Sequence, residues 1–321
     1  MKPILVIGGT LFLGRELVRR LLERGRRVIL LHRGKHNPFA GQTEEITCDR
    51  NDVEAVSKAL AGLELDAVFD NVYDWARGTT AEQVEAAVAA TSPTTRYLFT
   101  SSVAAYGTGL DHDEDDALAP PDDPDSYCRN KAETERMLFS RHGGRVTTFR
   151  PPYIFGPENP FYREQFFFDR LMDRRPILVP DDGSRLMQFV YRDDYVSACL
   201  AALDNPEAAG RAYNVGYGAP ITQRQLVEAL GRAAGVDPAI VFVPREKLIA
   251  LGGEQFHPPY YFAQYYDMEP ISMRVGRAER ELGFTPTPFK EALANSFAWY
   301  AAQEDRPSPD YTFDERVLRS L

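Results

Sequence analysis

The sequence predicts an α/β fold: a doubly wound parallel sheet with a smaller, discontinuous C-terminal α/β substrate lobe. Three observations carry this. Short, fully apolar runs recur through the first half of the chain. Segments of helical period separate them. From about Pro151 the rhythm gives way to prolines and aromatics. Strands that alternate with helices form βαβ units, and these assemble into a parallel sheet covered on both faces.

Ile4–Ile7 is an apolar run stopped by Gly8-Gly9 and reads as a buried strand. From Phe12 to Arg24, Leu13, Leu17, Val18, Leu21 and Leu22 recur at helical spacing, and Gly25 is a stop. Val28–Leu31 is a second strand, 46–48 a third and Ala67–Asp70 a fourth, with a helix over 52–61 between the last two. The Ala-rich segment 81–90 reads as a helix, 97–101 as a fifth strand and Val146–Arg150 as a sixth. The first domain is therefore expected over residues 1–155, with returning segments at about 187–216. The lobe takes about 156–186 and 217–321.

The chain has 321 residues, enough for two packed units, and is 44% hydrophobic, so a wholly disordered chain is excluded. Its net charge of −10 argues against nucleic acid as a partner, because nonspecific binding needs many phosphate-neutralising cations. Cys48, Cys128 and Cys199 are odd in number, far apart and free of CxxC spacing, which points to a reducing compartment. No apolar run approaches the ~18 residues that span a bilayer, and Ile4–Ile7 leads into glycines without a cleavage pattern. A cytoplasmic location is expected. The five histidines show no metal spacing, so no metal is assigned. Eight carboxylates between Asp111 and Asp125 read as a solvated loop.

Three motifs carry chemistry. Gly8, Gly9, Thr10, Leu11, Phe12, Leu13 and Gly14 join the first strand to the first helix. A dinucleotide pyrophosphate requires a tight turn, close backbone approach and a helix N-terminus, and this segment offers all three. Arg33 follows the second strand, where an acid would hold the ribose of NAD and an arginine accommodates the extra phosphate of NADP. The first 36 residues also hold nine basic side chains against Glu16 and Glu23. NADP is expected, with NAD as the alternative. Third, Tyr127 and Lys131 stand four apart and share a helix face. A lysine so placed lowers a phenol pKa from its reference of ~10 and makes a usable general base. By itself this spacing is that of an ordinary surface pair. It gains weight from Ser102, which closes the fifth strand at the sheet edge where parallel sheets bind ligands.

These motifs together resemble the short-chain dehydrogenase/reductase superfamily in its extended branch, the NAD-dependent epimerase/dehydratase type with a Rossmann sheet. Further matches are Arg150-Pro151-Pro152-Tyr153-Ile154-Phe155-Gly156-Pro157, Asp182-Gly183-Ser184 with Gln188–Asp194, Tyr213–Gly216 and Glu281–Phe284. The resemblance implies hydride transfer on a sugar-like or other small hydroxy or carbonyl substrate. It makes Tyr127 the catalytic base, Lys131 the ribose ligand that depresses its pKa, and Ser102 the group that hydrogen-bonds the reacting oxygen. It implies cofactor binding by Gly8, Thr10–Gly14 and Arg33, by Asp49 and Arg50 near the adenine, by Asn71 and Val72 after the fourth strand, and by Pro151 and Ile154 beside the nicotinamide. Ser102 and Tyr153 would meet the substrate, and a homodimer is the implied assembly.

The pattern also departs from the family. Leu11 replaces a middle glycine, as in an atypical subgroup similar to chloroplast stem-loop-binding proteins. Segment 81–90 lacks the usual asparagine, and Met187 stands where nucleotide-sugar enzymes carry an arginine. The alternative reading is therefore a non-catalytic dinucleotide-binding regulatory or RNA-associated protein. The aromatic run around His257–Tyr266 reads as the lobe's own core or as a stacking surface for a sugar. Arg274 and Arg277 read as surface residues or anion contacts, and Cys128 as packing.

Overall fold

A computed structural model describes residues 1–321. The chain divides into two compact units. One comprises Met1–Pro152, Arg192–Gly218 and Ile271–Thr285, and the other Tyr153–Tyr191, Ala219–Pro270 and Pro286–Leu321.

In chain order the elements begin with β1 (Ile4–Ile7), α1 (Phe12–Glu23), β2 (Val28–His32), β3 (Glu44–Thr47), α2 (Val53–Leu60), β4 (Ala67–Asp70), α3 (Ala81–Ala89) and β5 (Arg96–Thr100). There follow β6 (Gly109–His112), α4 (Ser126–His142), β7 (Val146–Arg150), β8 (Tyr153–Phe155), α5 (Glu164–Met172), β9 (Ile177–Pro180), β10 (Leu186–Met187) and β11 (Phe189–Tyr191). Next are α6 (Arg192–Asp204), β12 (Arg211–Asn214), β13 (Ile221–Thr222), α7 (Gln223–Ala234), β14 (Ile240–Val243) and α8 (Arg245–Ala250). The chain ends with β15 (Ile271–Met273), α9 (Gly276–Leu282), α10 (Phe289–Ala301) and α11 (Thr312–Arg319).

The first unit is built on a seven-stranded parallel sheet of order β12-β7-β5-β4-β1-β2-β3, a Rossmann-type doubly wound sheet. Alternate residues of these strands enter one core: Leu5, Ile7, Ile29, Leu31, Val68, Tyr97 and Phe99 pack with Val84 of α3 and Leu138 of α4. The intervening residues Ile4, Val6 and Leu30 are equally buried. Both sets are apolar because helices cover both faces, which is why these strands read as continuous apolar runs. The order reverses between β1 and β4, and the crevice at such a switch point is where open α/β sheets bind ligands.

A buried polar network ties α4 to β7 inside this unit. Glu135 of α4 accepts from Arg150 Nη2 at 2.7 Å, Ser101 Oγ at 2.5 Å and Thr148 Oγ1 at 3.0 Å, and both members of the ion pair are buried. Tyr106 Oη accepts from Arg150 Nη1 at 2.7 Å and lies 2.8 Å from Asn214 Oδ1.

Two sequence expectations need correction here. Residues 217–321 do not all belong to the lobe, because β15 pairs with β6 and carries Ile271–Thr285 back to the first unit. The acidic stretch is not simply a solvated loop either. It overlaps β6, and Glu114 is buried with Oε1 accepting from Asn214 N at 3.0 Å. Arg274 and Arg277 pair with this stretch, at 3.1 Å from Asp113 and 2.6 Å from Asp115.

The second unit joins β9 to β14 and β8 to β11 in parallel, and β10 to β13 in antiparallel fashion. Phe166, Phe167 and Phe168 of α5 are buried with Tyr261, Phe262 and Tyr266. The aromatic run thus supplies this unit's core. Asp169 accepts from the hydroxyls of Tyr162 at 2.5 Å and Tyr300 at 2.7 Å, and Arg170 pairs with Asp314 at 2.8 Å.

Candidate active site

The glycine turn between β1 and α1 is shaped by close approach. Gly8 has φ +83°, and a Cβ there would stand 2.3 Å from Val72 Cγ2. A Cβ on Gly14 would stand 1.9 Å from the Gly8 carbonyl oxygen, so α1 seats its first turn directly on the β1 exit. Phe12 is buried, whereas Leu11 is 65% exposed and points away from that packing. Leu11 occupies the N-cap position, and no side chain caps the helix. An uncapped helix N-terminus beside a glycine cradle leaves backbone N–H groups that suit an anion. Thr10 and Leu13 flank it, partly buried.

The floor of the crevice is completed from β4. Asn71 N donates to the Ile7 carbonyl at 3.1 Å, and Asn71 Oδ1 accepts from Thr100 Oγ1 at 2.7 Å. Its Nδ2 is buried without a partner. The cradle that a Cβ would fill and this orphaned donor both fit a dinucleotide with its pyrophosphate at α1.

The residues expected near the adenine behave differently from one another. Asp49 Oδ1 accepts from Asn51 N at 3.0 Å, and Arg77 Nη2 donates to Asp49 Oδ2 at 2.7 Å. The Asn51 amide and the Arg77 guanidinium hold this carboxyl below its ordinary range. Arg33 is 60% exposed, with Nη1 3.9 Å from Asp74 Oδ2. Arg50 corrects the expectation. Its guanidinium turns inward, donating to Asp70 Oδ2 at 2.5 Å and to the Gln83 carbonyl at 2.6 Å, so this side chain braces the core.

The candidate catalytic residues Tyr127 and Lys131 both lie on α4. Asp125 caps the helix by accepting from Tyr127 N at 2.7 Å and Cys128 N at 3.3 Å, which fixes where Tyr127 starts. One turn later Lys131 is buried, and Nζ donates to the Thr100 carbonyl at 2.7 Å. The ammonium stands 4.7 Å from the Phe99 ring centroid, 5.4 Å from Tyr73 and 5.8 Å from Tyr127. Burial pushes its pKa down to about 8, against the raising pull of Asp70 and Glu135. Ser102 opens the 3₁₀ turn Val103–Tyr106, where its Oγ accepts from Ala104 N at 3.2 Å. Ala104 packs against Cys128 and Ala132 of α4, so the Ser102 turn and the Tyr127 helix form one block. Burial raises the Cys128 thiol to about 12, in keeping with a packing role. The Pro151 carbonyl accepts from Val103 N at 2.9 Å and ties β7 to the same turn.

Tyr153 and Ile154 fall in the second unit, on β8 beside Phe189 and Val190. Tyr153 Oη donates to the Tyr265 carbonyl at 2.7 Å, and burial raises its pKa to about 12.

Sequence reasoning missed Tyr73 and Trp75. Tyr73 meets Tyr127 edge-on at 4.7 Å, and Trp75 stacks on it at 4.9 Å. Asn130 Nδ2 donates to Tyr73 Oη at 3.1 Å. The one available signal was two aromatics directly after the fourth strand, on the ligand-facing edge of the sheet.

Known proteins match this architecture. Residues 4–216 fit the sequence profile of the NAD dependent epimerase/dehydratase family. The chain is 31% identical to the chloroplast stem-loop binding protein of 41 kDa b of Arabidopsis thaliana, over 99% of this chain and 84% of that protein. It is 30% identical to the 2-alkyl-3-oxoalkanoate reductase of Stenotrophomonas maltophilia, over 88% of this chain and 94% of that one. In fold it resembles dTDP-glucose 4,6-dehydratase from Bacillus anthracis in complex with NAD, with TM-score 0.75 and 16% identity, over 95% of this chain and 98% of that chain. The chain belongs to the NAD dependent epimerase/dehydratase family.

Proposed function

We propose that the protein is an NADP-dependent oxidoreductase or epimerase that moves hydride at a hydroxyl-bearing carbon of a small sugar-like or other hydroxy or carbonyl substrate. The observation that carries this reading is the buried ammonium of Lys131, fixed on the Thr100 carbonyl and 5.8 Å from the Tyr127 ring. A cation held there favours the phenolate and gives Tyr127 the character of a base.

A nicotinamide cofactor, when bound, would supply the hydride acceptor or donor. Tyr127 takes the hydroxyl proton as the carbon loses hydride, and returns it in the reverse direction. Ser102 Oγ keeps its own proton free to donate, since its bond to Ala104 N uses it as acceptor. That proton steadies the reacting oxygen. Lys131 orients the ribose and holds charge beside the phenol. Gly8 and Gly14 let the pyrophosphate approach the start of α1. Arg33, exposed at the end of β2, supports the 2′-phosphate and hence NADP over NAD.

The test is nicotinamide absorbance during turnover of a panel of sugars, polyols and 3-oxo acids, in wild type and in Tyr127→Phe. Turnover is expected to fall by ~10²–10⁴-fold while the Kd for NADP is unchanged. Equal turnover in both proteins rejects the mechanism, and absence of dinucleotide binding rejects the whole reading. Arg33→Ala separates the cofactors, since its Kd should weaken for NADP and not for NAD.

A second reading, a stem-loop RNA-binding protein, is favoured by the 31% identity to the chloroplast protein and opposed by the net charge of −10. A salt titration with a stem-loop RNA decides it. No binding at ~50 mM salt, where phosphate contacts are strongest, dismisses it.

A further inference from the structure

Five arginines are buried in this chain, and four of them meet a carboxylate. Arg50 lies 2.5 Å from Asp70, Arg150 2.7 Å from Glu135, Arg170 2.8 Å from Asp314 and Arg192 2.8 Å from Asp193. Arg163, in the second unit, is the exception. It is 8% exposed, its Nε is buried without a partner, and its guanidinium makes no ion pair or hydrogen bond to the protein. The adjacent carboxylate, Glu164, is taken elsewhere: it accepts from Asn159 Nδ2 and Tyr266 Oη, each at 3.0 Å.

Aromatic rings surround the cation instead. Its central carbon lies 4.5 Å from the Phe161 centroid, 5.5 Å from Tyr153, and 5.6 Å from both Tyr265 and Tyr266. Ring faces offset part of the cost of burying the charge. They offer no acceptor to the buried Nε–H, and the neighbouring Glu164 balances the charge through space without accepting a hydrogen bond from it, so this donor is left for an outside acceptor. One wall is also strained. Tyr265 sits at φ +67°, a left-handed conformation costly for a tyrosine, and the Tyr153 hydroxyl holds its carbonyl at 2.7 Å. Strain of this kind collects at ligand clamps.

We propose that Arg163 within its aromatic box is an anion-recognition site of the second unit, taking the carboxylate or phosphate group of a small organic ligand whose apolar part lies against the rings. A planar fork of donors suits either oxyanion, bidentately. This site does not depend on the hydride-transfer reading, and either can fail without the other.

The test follows the Arg163 Nε–Hε cross-peak by ¹⁵N NMR, assigned by its loss in Arg163→Met. Inorganic phosphate and sodium acetate are titrated separately, with sodium chloride as the ionic-strength control. A saturable shift with phosphate or with acetate supports the site and tells which oxyanion it prefers. No saturable shift with either, or the same shift with chloride, overturns it. Thermal melting of Arg163→Met gives an independent readout. Loss of a buried donor that lacks an acceptor should leave Tm equal or higher, whereas a cation serving the fold would lower it, and a variant that fails to fold overturns the proposal.

Discussion

The indole of Trp75 stacks on the ring of Tyr127, with centroids 4.9 Å apart and planes 28° apart. The loop after β4 fixes this arrangement. Asp74 Oδ1 accepts from the amides of Ala76 and Arg77, each at 3.0 Å, and Asp74 N donates to Thr79 Oγ1 at 3.0 Å. Trp75 is 50% exposed, so its emission should report on whatever enters beside Tyr127. Addition of NADP is expected to quench tryptophan fluorescence in wild type, and the change should vanish in Trp75→Phe, which leaves only Trp299. Trp75→Ala should lower kcat about five-fold, the equivalent of the roughly 1 kcal/mol an aromatic pair contributes. Unchanged emission on saturation with NADP would separate Trp75 from the cofactor side.

Gly14→Ala tests the cradle. Its new methyl would stand 1.9 Å from the Gly8 carbonyl oxygen, which is backbone and has little room to yield. A loss of ~3 kcal/mol in stability is expected from overpacking, together with loss of dinucleotide binding. Urea unfolding and a fluorescence titration measure the two effects. A fully stable variant with wild-type affinity would show that α1 can draw back.

Lys131 makes stability depend on pH. Its folded pKa lies near 8, below the ordinary lysine value of 10.5. Between these values the unfolded chain holds a proton that the folded chain has released, so stability rises with pH across this window. Its cost to the fold is fully present below about 8, on the order of 3 kcal/mol at 1.36 kcal/mol per pKa unit. Lys131→Met should therefore be more stable than wild type at pH 7, and the difference should shrink as pH approaches 10.5. Chemical denaturation at a series of pH values checks this, and a constant difference between the two proteins would contradict it.

Glu135 and Arg150 form a buried pair at 2.7 Å, with Ser101 and Thr148 completing the carboxylate's partners. Glu135→Leu leaves the guanidinium uncompensated, at an expected cost of about 3–5 kcal/mol. The double variant with Arg150→Met should recover much of that loss. A double-mutant cycle in urea measures the coupling, and strict additivity would show the pair to be energetically independent.

The sequence by itself determined the alternation of strands and helices, the glycine turn and the Tyr127–Lys131 spacing. These are local properties: an apolar run between stops, a helix period and a backbone that only glycine permits. Whether a polar side chain faces a ligand or the core was decided by tertiary structure alone. Arg50 and Arg33 both follow strands of the same sheet. Asp70, brought over by β4, draws the first inward, while Arg33 stays exposed. Arg163 and Glu164 are neighbours in sequence, yet the Asn159 amide and the Tyr266 hydroxyl hydrogen-bond the acid, while the arginine meets only ring faces. Partners contributed from distant segments set the electrostatic fate of each charge, and periodicity holds no record of them.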